Sequence, residues 1–119
     1  MPRAGEFTAE AKELMFQRSL GECEVQWPNV CVQTVESYHH RRPRGRGGSR
    51  QESTARVSNG LAICRGCHSF IETRERGKAI ELGFIVSQWH EPAFECVFYR
   101  HERWVWLADD GSIRESRAA

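Results

Sequence analysis

Apolar residues near the start of the chain recur with the spacing of an amphipathic helix. Thr8 is a favourable N-cap for the segment AEAKELMFQRSL, and Gly21 can end the helix because glycine accepts the left-handed conformation common at that position. The buried side of this helix is expected to contain Leu14, Met15 and Leu20. We therefore predict an N-terminal helix within residues 1–20.

The middle of the chain predicts a strand, a long loop, a second short strand and a helix. The segment VQTVESYHH alternates enough for a short strand, and Leu61 and Ile63 favour a second strand or turn. Between them, the proline and glycines of RRPRGRGGSRQES predict a long loop, and loops of this length are usually functional or disordered. A helix is predicted from about Cys67 to Arg76, because Gly77 can end it.

The last third of the chain predicts one more short helix and several strands. KAIEL favours a helix that ends at Gly83. FIVSQ, CVFYR and RWVWLADDG are rich in aromatic and β-branched residues and predict strands, of which the last two can form a hairpin. Together these elements predict an α+β fold in one domain, residues 1–119.

Length and composition limit the classes of protein to which the chain can belong. Its 119 residues suit a single domain, and a hydrophobic fraction of 39% gives a modest core that a structural metal or a partner could supplement. No apolar run approaches the roughly 18 residues of a membrane span. The opening segment MPRAGEFTAEAKEL lacks the apolar stretch of a secretion signal. We therefore expect a cytoplasmic protein with no membrane contact.

The cysteine pattern predicts a structural zinc site. In a reducing compartment, five cysteines favour metal binding or catalysis over disulfides. Cys64 and Cys67 form a C-x2-C spacing that lets two thiolates reach one ion, and Cys23 with Cys31 can complete a tetrahedron although their spacing is longer. Four thiolates leave no open coordination position, so the ion would be structural. The alternative is four buried thiols that pack as small hydrophobic groups.

Polar residues on either side of the long loop favour a second metal site. His39 and His40 are neighbours on a predicted strand, so their side chains point to opposite faces, and one can bind a metal while the other is free. His68 directly follows Cys67, so a zinc knuckle would fix its position. Glu72 lies one helical turn later, where it can reach the same ion. These groups suit a phosphodiester hydrolase, which needs a cation at the phosphate and a base for water.

The stretch YHHRRPRGRGG, followed by SNGLAICRGCH, resembles the HNH endonuclease motif in its four-cysteine, zinc-stabilised form. The histidine pair ends the first strand, Asn59 is the middle element, and His68 follows it after nine residues. The resemblance covers roughly residues 23–76. It implies an α+β fold with a ββα-metal (His-Me finger) core and zinc knuckles within residues 21–76, preceded by the N-terminal helix and followed, in residues 77–119, by a short helix and a C-terminal β-hairpin.

The resemblance also implies roles for individual residues. His40 would be the general base that activates water, while His39 and His68 would bind the catalytic metal. Asn59 would tie the loop between the strands so that the base points at the phosphate. Many members of the family carry histidine or asparagine where this chain has Glu72. Glu72 is therefore either a metal ligand, directly or through water, or the partner of an arginine in an ion pair.

The proposed ligands bear on the identity of the catalytic ion. Two imidazoles suit Mn²⁺, Ni²⁺, Co²⁺ or Zn²⁺ better than Mg²⁺, which prefers oxygen ligands. Mg²⁺ could still act through phosphate oxygens and water.

Arginines are concentrated in the long loop, although the net charge of the chain is only +1. The cluster consists of Arg41, Arg42, Arg44, Arg46 and Arg50. Beside a site that cleaves phosphodiesters, we expect these arginines to bind the DNA backbone. Arginine pairs bidentately with phosphate, and the glycines of the loop allow a close approach.

By this resemblance, the protein is expected to be a metal-dependent DNA endonuclease that leaves 3′-hydroxyl and 5′-phosphate ends. We expect a monomer or weak dimer. One base and one ion cut one strand per event, so a monomer would nick double-stranded DNA, and double-strand cleavage would need a second active site or a second encounter. The tail, with GFIVS and LADDGS, is similar to small HNH proteins encoded by actinobacterial phages beside their packaging genes. That similarity implies a role in DNA packaging, a phage large terminase as partner and the host cytoplasm as location.

Two alternative functions stay open. One is a zinc-stabilised DNA-binding adaptor of a phage packaging motor, with weak or lost catalysis. The other is activity on RNA or branched DNA, since arginine contacts to phosphate carry no base identity.

Overall fold

Three short α-helices and two small antiparallel sheets form the described part of the chain, residues 4–45 and 49–116, in a computed structural model. The α-helices are α1 (Ala9–Ser19), α2 (Arg65–Ser69) and α3 (Arg76–Glu81). The strands are β1 (Ser37–His40), β2 (Gly60–Ile63), β3 (Val97–Tyr99), β4 (Arg103–Leu107) and β5 (Ile113–Glu115). Within those two ranges, no helix is both long enough and apolar enough to span a membrane.

The predicted N-terminal helix is present as α1. Its N-cap is Thr8, whose Oγ1 accepts a hydrogen bond from the Ala11 N–H at 3.0 Å. Met15 is fully buried, as predicted, whereas Leu20 is 80% exposed. The prediction for Leu20 is wrong because this residue closes the helix in the left-handed conformation, with φ of 58°, where its side chain leaves the buried face.

An antiparallel hairpin of β1 and β2 carries the histidine pair. His39 lies opposite Leu61, and His40 lies opposite Gly60. The first strand is shorter than the segment VQTVESYHH predicts. Gln33 has a left-handed φ of 73°, which interrupts the extended chain before the strand begins.

The second strand of this hairpin is buried along its whole length. Leu61 and Ile63 pack into one hydrophobic cluster with α2 and the C-terminal strands. Ala62 packs into the other cluster, with Phe7 and Met15. Because successive residues of a strand face opposite sides, β2 joins both halves of the core.

The predicted helix between Cys67 and Gly77 is not continuous. α2 begins at Arg65 and passes into the π-helical turn Phe70–Arg74 before α3 starts. The Thr73 hydroxyl donates to the Ser69 carbonyl at 2.7 Å and so occupies an acceptor of the regular helix.

The C-terminal third differs from its prediction in two respects. FIVSQ is not a strand: its residues pass the end of β1, and the Val86 N–H donates to the Arg41 carbonyl at 2.8 Å. Its apolar residues are buried without sheet pairing, which β-propensity alone cannot distinguish from a strand. CVFYR and RWVWLADDG do form the hairpin of β3 and β4, but β5 pairs with β4 and makes a three-stranded sheet.

A buried carboxylate joins α1 to both sheets. Glu24 forms a bidentate ion pair with Arg18 at 2.7 Å, and both side chains are at most 1% exposed. Glu24 also accepts hydrogen bonds from the Tyr99 hydroxyl and the Ala62 N–H, each at 2.7 Å. Burial and the charge of Glu24 raise the pKa of Tyr99, so its hydroxyl keeps the proton that it donates. All the strong acceptor positions of this buried charge are therefore used.

The substitution Glu24→Gln is expected to destabilise the fold by about 3–5 kcal/mol, because it leaves the buried Arg18 guanidinium without its counter-charge. The matched control is Glu13→Gln, since Glu13 is exposed and accepts a hydrogen bond from Gln17 on the surface of α1. This control should change the free energy of unfolding by less than about 0.5 kcal/mol. Denaturant unfolding followed by tryptophan fluorescence makes the comparison, and equal losses in the two variants would contradict the structural role of Glu24.

Candidate functional site

Four cysteine thiols converge where β2 meets the loop that follows α1. The Sγ atoms of Cys23, Cys31, Cys64 and Cys67 all lie within 4.8 Å of one another, and those of Cys31 and Cys64 are 3.9 Å apart. A tetrahedral zinc ion with Zn–S bonds of about 2.3 Å separates its sulfur ligands by roughly 3.8 Å. The cluster could therefore hold a structural metal such as zinc. Cys96 lies outside it, and none of the five cysteines forms a disulfide.

Backbone N–H groups point at these sulfur atoms. Cys64 Sγ accepts from the N–H groups of Cys67 at 3.3 Å and Val32 at 3.4 Å, and Cys67 Sγ accepts from Trp27 at 3.4 Å. The side chains of Cys23 and Cys67 also share a hydrogen bond. This bond lowers the pKa of Cys23 and raises the pKa of Cys67. One thiolate is thus stabilised by its neighbours. Further thiolates at this distance repel each other unless a cation joins them.

His39 is buried, and one of its ring nitrogens is available. Its Nε2 lies 2.8 Å from the Phe84 carbonyl oxygen. A carbonyl can only accept, so Nε2 carries the proton and Nδ1 carries the lone pair. Burial lowers the pKa of His39 to about 3, which keeps the imidazole neutral at physiological pH. A neutral imidazole with its tautomer fixed in this way is the form that binds metal ions.

His68 and Glu72 meet His39 from the helical segment that follows β2. One ligating atom from each of these three residues lies within 4.8 Å of the other two, and the imidazole centroids are 5.2 Å apart. Glu72 Oε1 is 2.5 Å from His68 Nε2, and Ser37 Oγ is 2.9 Å from His68 Nδ1. In the described ranges, Glu72 pairs with this histidine and with no arginine. Two imidazoles and a carboxylate are donors typical of a site for a divalent transition metal.

His40 faces away from this group, on the other side of β1. Its Nε2 is 2.7 Å from the Gly5 carbonyl oxygen, and its ring stacks on Phe7 with centroids 3.9 Å apart and planes 6° apart. Burial lowers the pKa of His40, and the charge of Arg44 acts in the same direction. Nδ1 is therefore an unprotonated nitrogen at neutral pH. The opposite orientation of the two histidines agrees with their prediction as strand neighbours.

Asn59 ties together the two ends of the long loop between β1 and β2. Its Oδ1 accepts from the Arg42 N–H at 2.7 Å, and its Nδ2 donates to the carbonyls of Arg42 at 3.1 Å and Thr54 at 2.9 Å. The amide is fully buried and uses both its donor and its acceptor on backbone groups. Asn59 thus fixes the backbone next to His40 and contributes no atom to the group around His39.

The prediction that Arg41 and Arg42 bind DNA is wrong, because both side chains are buried. Their relative exposures are 0% and 1%. Arg41 donates, at 2.8–3.1 Å, to four carbonyl oxygens, those of Ser58, Gly83, Pro92 and Glu95. Arg42 donates to the His90 carbonyl at 2.9 Å and the Ser53 hydroxyl at 2.6 Å. Guanidinium groups that are used inside the protein in this way cannot reach a phosphate.

The other loop arginines are differently placed. Arg44 is partly exposed, lies 3.6 Å from the Glu6 carboxylate and borders the histidines. Arg50 is exposed. Arg46 lies outside the described residues.

A cleft of about 260 Å³ opens beside the histidines. It is lined by Tyr38, His39, His40, Pro43, Arg44, His68, Glu72, Arg76 and Ile85. A second cleft of about 480 Å³ shares Tyr38, His40 and Arg44 with the first, and Lys12 lines it from α1. Sequence reasoning missed Lys12 and Arg76. For Arg76, the sequence does offer one indication: it lies four residues after Glu72, a spacing that puts both side chains on the same face of a helix.

The buried neutral state of His39 predicts a specific loss of stability in acid. The unfolded histidine has a pKa near 6.5, whereas the folded one has a pKa of about 3, so between these values the unfolded state binds the additional proton. The free energy of unfolding should therefore fall as the pH drops below 6.5, by up to about 1.4 kcal/mol per pH unit from this residue.

The variant His39→Leu should be less stable than wild type at pH 7 but should lack this dependence. The stability difference between the two proteins should shrink by about 2.3 kcal/mol between pH 6.5 and pH 4.5. This difference is measured by denaturant unfolding at each pH without added divalent metal. Acid would release any ion at the cysteines from both proteins, so that effect cancels in the comparison. Parallel pH curves would show that the pKa of His39 is the same in the folded and unfolded states, which would contradict its burial as a neutral group.

Comparison of the chain with protein-family models, with curated proteins and with solved structures found no match. The resemblance to HNH endonucleases, with the phage partner and location that it implies, therefore stays an expectation drawn from motifs. The α+β fold, the four-cysteine cluster and the histidine cleft are the observations from which a function must be inferred.

Proposed function

We propose that this protein is a metal-dependent DNA endonuclease of the HNH type. The observation that carries the proposal is the arrangement around β1. The ligating atoms of His39, His68 and Glu72 lie within 4.8 Å of one another, while the adjacent His40 borders the same cleft with a separate free nitrogen. Phosphodiester hydrolysis needs both a cation site and a base beside it.

The donor set fits a catalytic divalent ion. His39 offers Nδ1, because its Nε2–H is held by the Phe84 carbonyl, and His68 offers Nε2, because its Nδ1 is next to Ser37. The carboxylate of Glu72 supplies a third donor and some negative charge. A bound ion would stabilise the charge that develops on the phosphate and on the leaving 3′ oxygen. The two imidazoles favour Mn²⁺, Ni²⁺, Co²⁺ or Zn²⁺ over Mg²⁺.

His40 would act as the general base. Its Nε2 is committed to the Gly5 carbonyl, so Nδ1 accepts the proton of a water molecule at the cleft. The resulting hydroxide attacks phosphorus in line, and the bond between phosphorus and the 3′ oxygen breaks. The 3′ oxygen then takes a proton from solvent, so the products are a 5′-phosphate and a 3′-hydroxyl. One base in one site cuts one strand, so we expect nicks in double-stranded DNA.

Arg44 and Arg76 are the cations that we assign to the DNA backbone. Both line the cleft, and the guanidinium fork matches the geometry of a phosphate. They replace Arg41 and Arg42, whose side chains are buried. Contacts of this kind carry no base identity, so RNA and branched DNA are substrates to be tested beside duplex DNA.

We further propose that the four cysteines hold a Zn²⁺ ion whose role is structural. Four thiolates complete a tetrahedral shell and leave no position for water or substrate. Cys67 immediately precedes His68 in α2, so this ion would help to hold one of the ligands of the catalytic site.

The nuclease proposal predicts nicking of supercoiled plasmid by purified protein. Mn²⁺ or Ni²⁺ should support the reaction at least as well as Mg²⁺, and His40→Ala should reduce the rate by about 10²–10⁴-fold. The control is His90→Ala, since the exposed His90 side chain pairs with Glu95 and does not line the histidine cleft.

Three results would contradict parts of this proposal. Strong activity with Mg²⁺ and none with Mn²⁺, Ni²⁺, Co²⁺ or Zn²⁺ would contradict the ligand assignment. Full activity of His40→Ala would contradict the role of His40 as base. Tight DNA binding by wild type without cleavage under any metal would favour the DNA-binding adaptor.

The zinc proposal predicts one tightly bound zinc ion per chain at the cysteine cluster. Cys64→Ser should lose most of this zinc and unfold at a lower denaturant concentration, because the energy of metal binding contributes to folding. Cys96→Ser is the matched control and should keep both its zinc and its stability, since Cys96 lies outside the cluster. Elemental analysis of dialysed protein measures the zinc, and wild type without bound metal would refute the assignment.

A further inference from the structure

The segment before α1 lies across the end of β1. We call residues 4–7 the N-terminal strap. The strap lies before the part of the chain that resembles the nuclease motif, which starts at about residue 23. It nevertheless makes two contacts with the imidazole of His40.

These two contacts restrain the ring of His40 in different ways. The Gly5 carbonyl oxygen lies 2.7 Å from Nε2 and fixes the proton on that nitrogen. The Phe7 ring lies parallel to the imidazole, with planes 6° apart and centroids separated by 3.9 Å. The hydrogen bond therefore sets the tautomer, and the stacking sets the plane of the ring.

The strap itself is held in place at several points. The Ala4 carbonyl accepts from the Ser49 N–H at 3.1 Å, and Glu6 lies 3.6 Å from Arg44. Phe7 is 6% exposed and packs in the cluster that contains Met15. The strap is thus joined both to the long loop and to the core beneath α1.

Gly5 is required at the position whose carbonyl holds His40. Its φ is +88°, a conformation in which a side chain is strained. A Cβ at this residue would lie 3.2 Å from side-chain carbons of Arg44 and Thr54 and 3.3 Å from the Ser49 nitrogen. A larger residue is therefore strained in this conformation and crowds its neighbours, so we expect the carbonyl oxygen of residue 5 to be displaced.

We infer that the N-terminal strap positions the general base: the Gly5 carbonyl and the Phe7 ring hold the His40 imidazole so that Nδ1 is the nitrogen available to substrate water. This inference rests on the proposed nuclease function. Asn59 fixes the backbone at Arg42 but makes no hydrogen bond to the imidazole. The positioning of the base is therefore divided between the buried amide, which sets the backbone, and the strap, which sets the ring.

The consequence for catalysis is a loss of rate without a loss of substrate binding. Phe7 is covered by the core and by His40, so its replacement should leave the DNA-binding surface intact. A base that is free to rotate spends less time in the reactive geometry, and small misplacements of this kind lower rates by about 10–100-fold. The effect should appear in kcat and leave KM within about twofold.

The test compares Phe7→Leu with Phe7→Tyr, which keeps the stacked ring, and with Phe94→Leu, the same chemical change at an exposed phenylalanine. Nicking kinetics should show a 10–100-fold lower kcat for Phe7→Leu, substantial recovery in Phe7→Tyr and wild-type values for Phe94→Leu. Unchanged kcat in folded Phe7→Leu would overturn the inference. Should Phe7→Leu fail to fold, Gly5→Ala is judged by the same kinetic criterion.

A second measurement does not depend on nuclease activity. Nitrogen-15 NMR of labelled histidine, with the His40 signals assigned from a His40→Gln spectrum, reports which ring nitrogen carries the proton. Wild type should show His40 protonated at Nε2, and Gly5→Ala should reduce this preference. An Nδ1-protonated ring in wild type would overturn the inference. Wild type that has the expected tautomer but cuts no nucleic acid would instead refute the proposed function.

Discussion

The geometry of the cleft depends on the hydrogen bonds that the buried guanidinium of Arg41 makes. Arg41 directly follows His40 at the end of β1 and bonds to four carbonyl oxygens. These carbonyls come from segments that are far apart in the sequence: Ser58 precedes β2, Gly83 follows α3, and Pro92 and Glu95 precede β3. Removing a guanidinium from water is costly unless its hydrogen bonds are replaced, and the four carbonyls replace them. Phe84 directly follows Gly83, and its carbonyl accepts the Nε2–H of His39. The bond from Arg41 to Gly83 therefore also helps to fix the position of His39.

Two further buried polar groups complete this framework. Glu24 fixes α1 to β2 through Arg18 and the Ala62 N–H, and Asn59 closes the long loop onto the backbone at Arg42. The cysteine cluster adds a third junction, beside His68. Each group is held by hydrogen bonds that have few alternatives in a dry interior, so together they specify one arrangement of a small molecule with a modest hydrophobic core. The histidines acquire their orientations from this framework, because β1 alone is only four residues long.

The parts of the fold that sequence could predict are those with local causes. The capping of α1 by Thr8 and the opposite faces of His39 and His40 follow from spacing along one element. The meeting of His68 with Glu72 follows from their i,i+4 spacing, which still brings them together although α2 passes into a π-helical turn between them. The sequence could not reveal that Arg41 and Arg42 are buried, because their acceptors are mostly backbone carbonyls, which every residue has. The same holds for the Phe84 and Gly5 carbonyls that fix the two histidine tautomers. FIVSQ does not form the predicted strand, because an apolar, β-branched segment fits a buried irregular path as well as a strand.

Arg41 also affects the electrostatics of the molecule. Burial lowers its pKa to about 10, which leaves it charged at neutral pH, and among the described residues it bonds to carbonyl dipoles and forms no ion pair. The pKa of His39 is lowered mainly by burial, and the charge of Arg41 lowers it further. Mobile ions screen a charge inside a low-dielectric interior much less than a charge on the surface. A chain of net charge +1 therefore contains an internal source of positive potential beside the histidine cleft, and dissolved salt weakens that source far less than it weakens surface arginines.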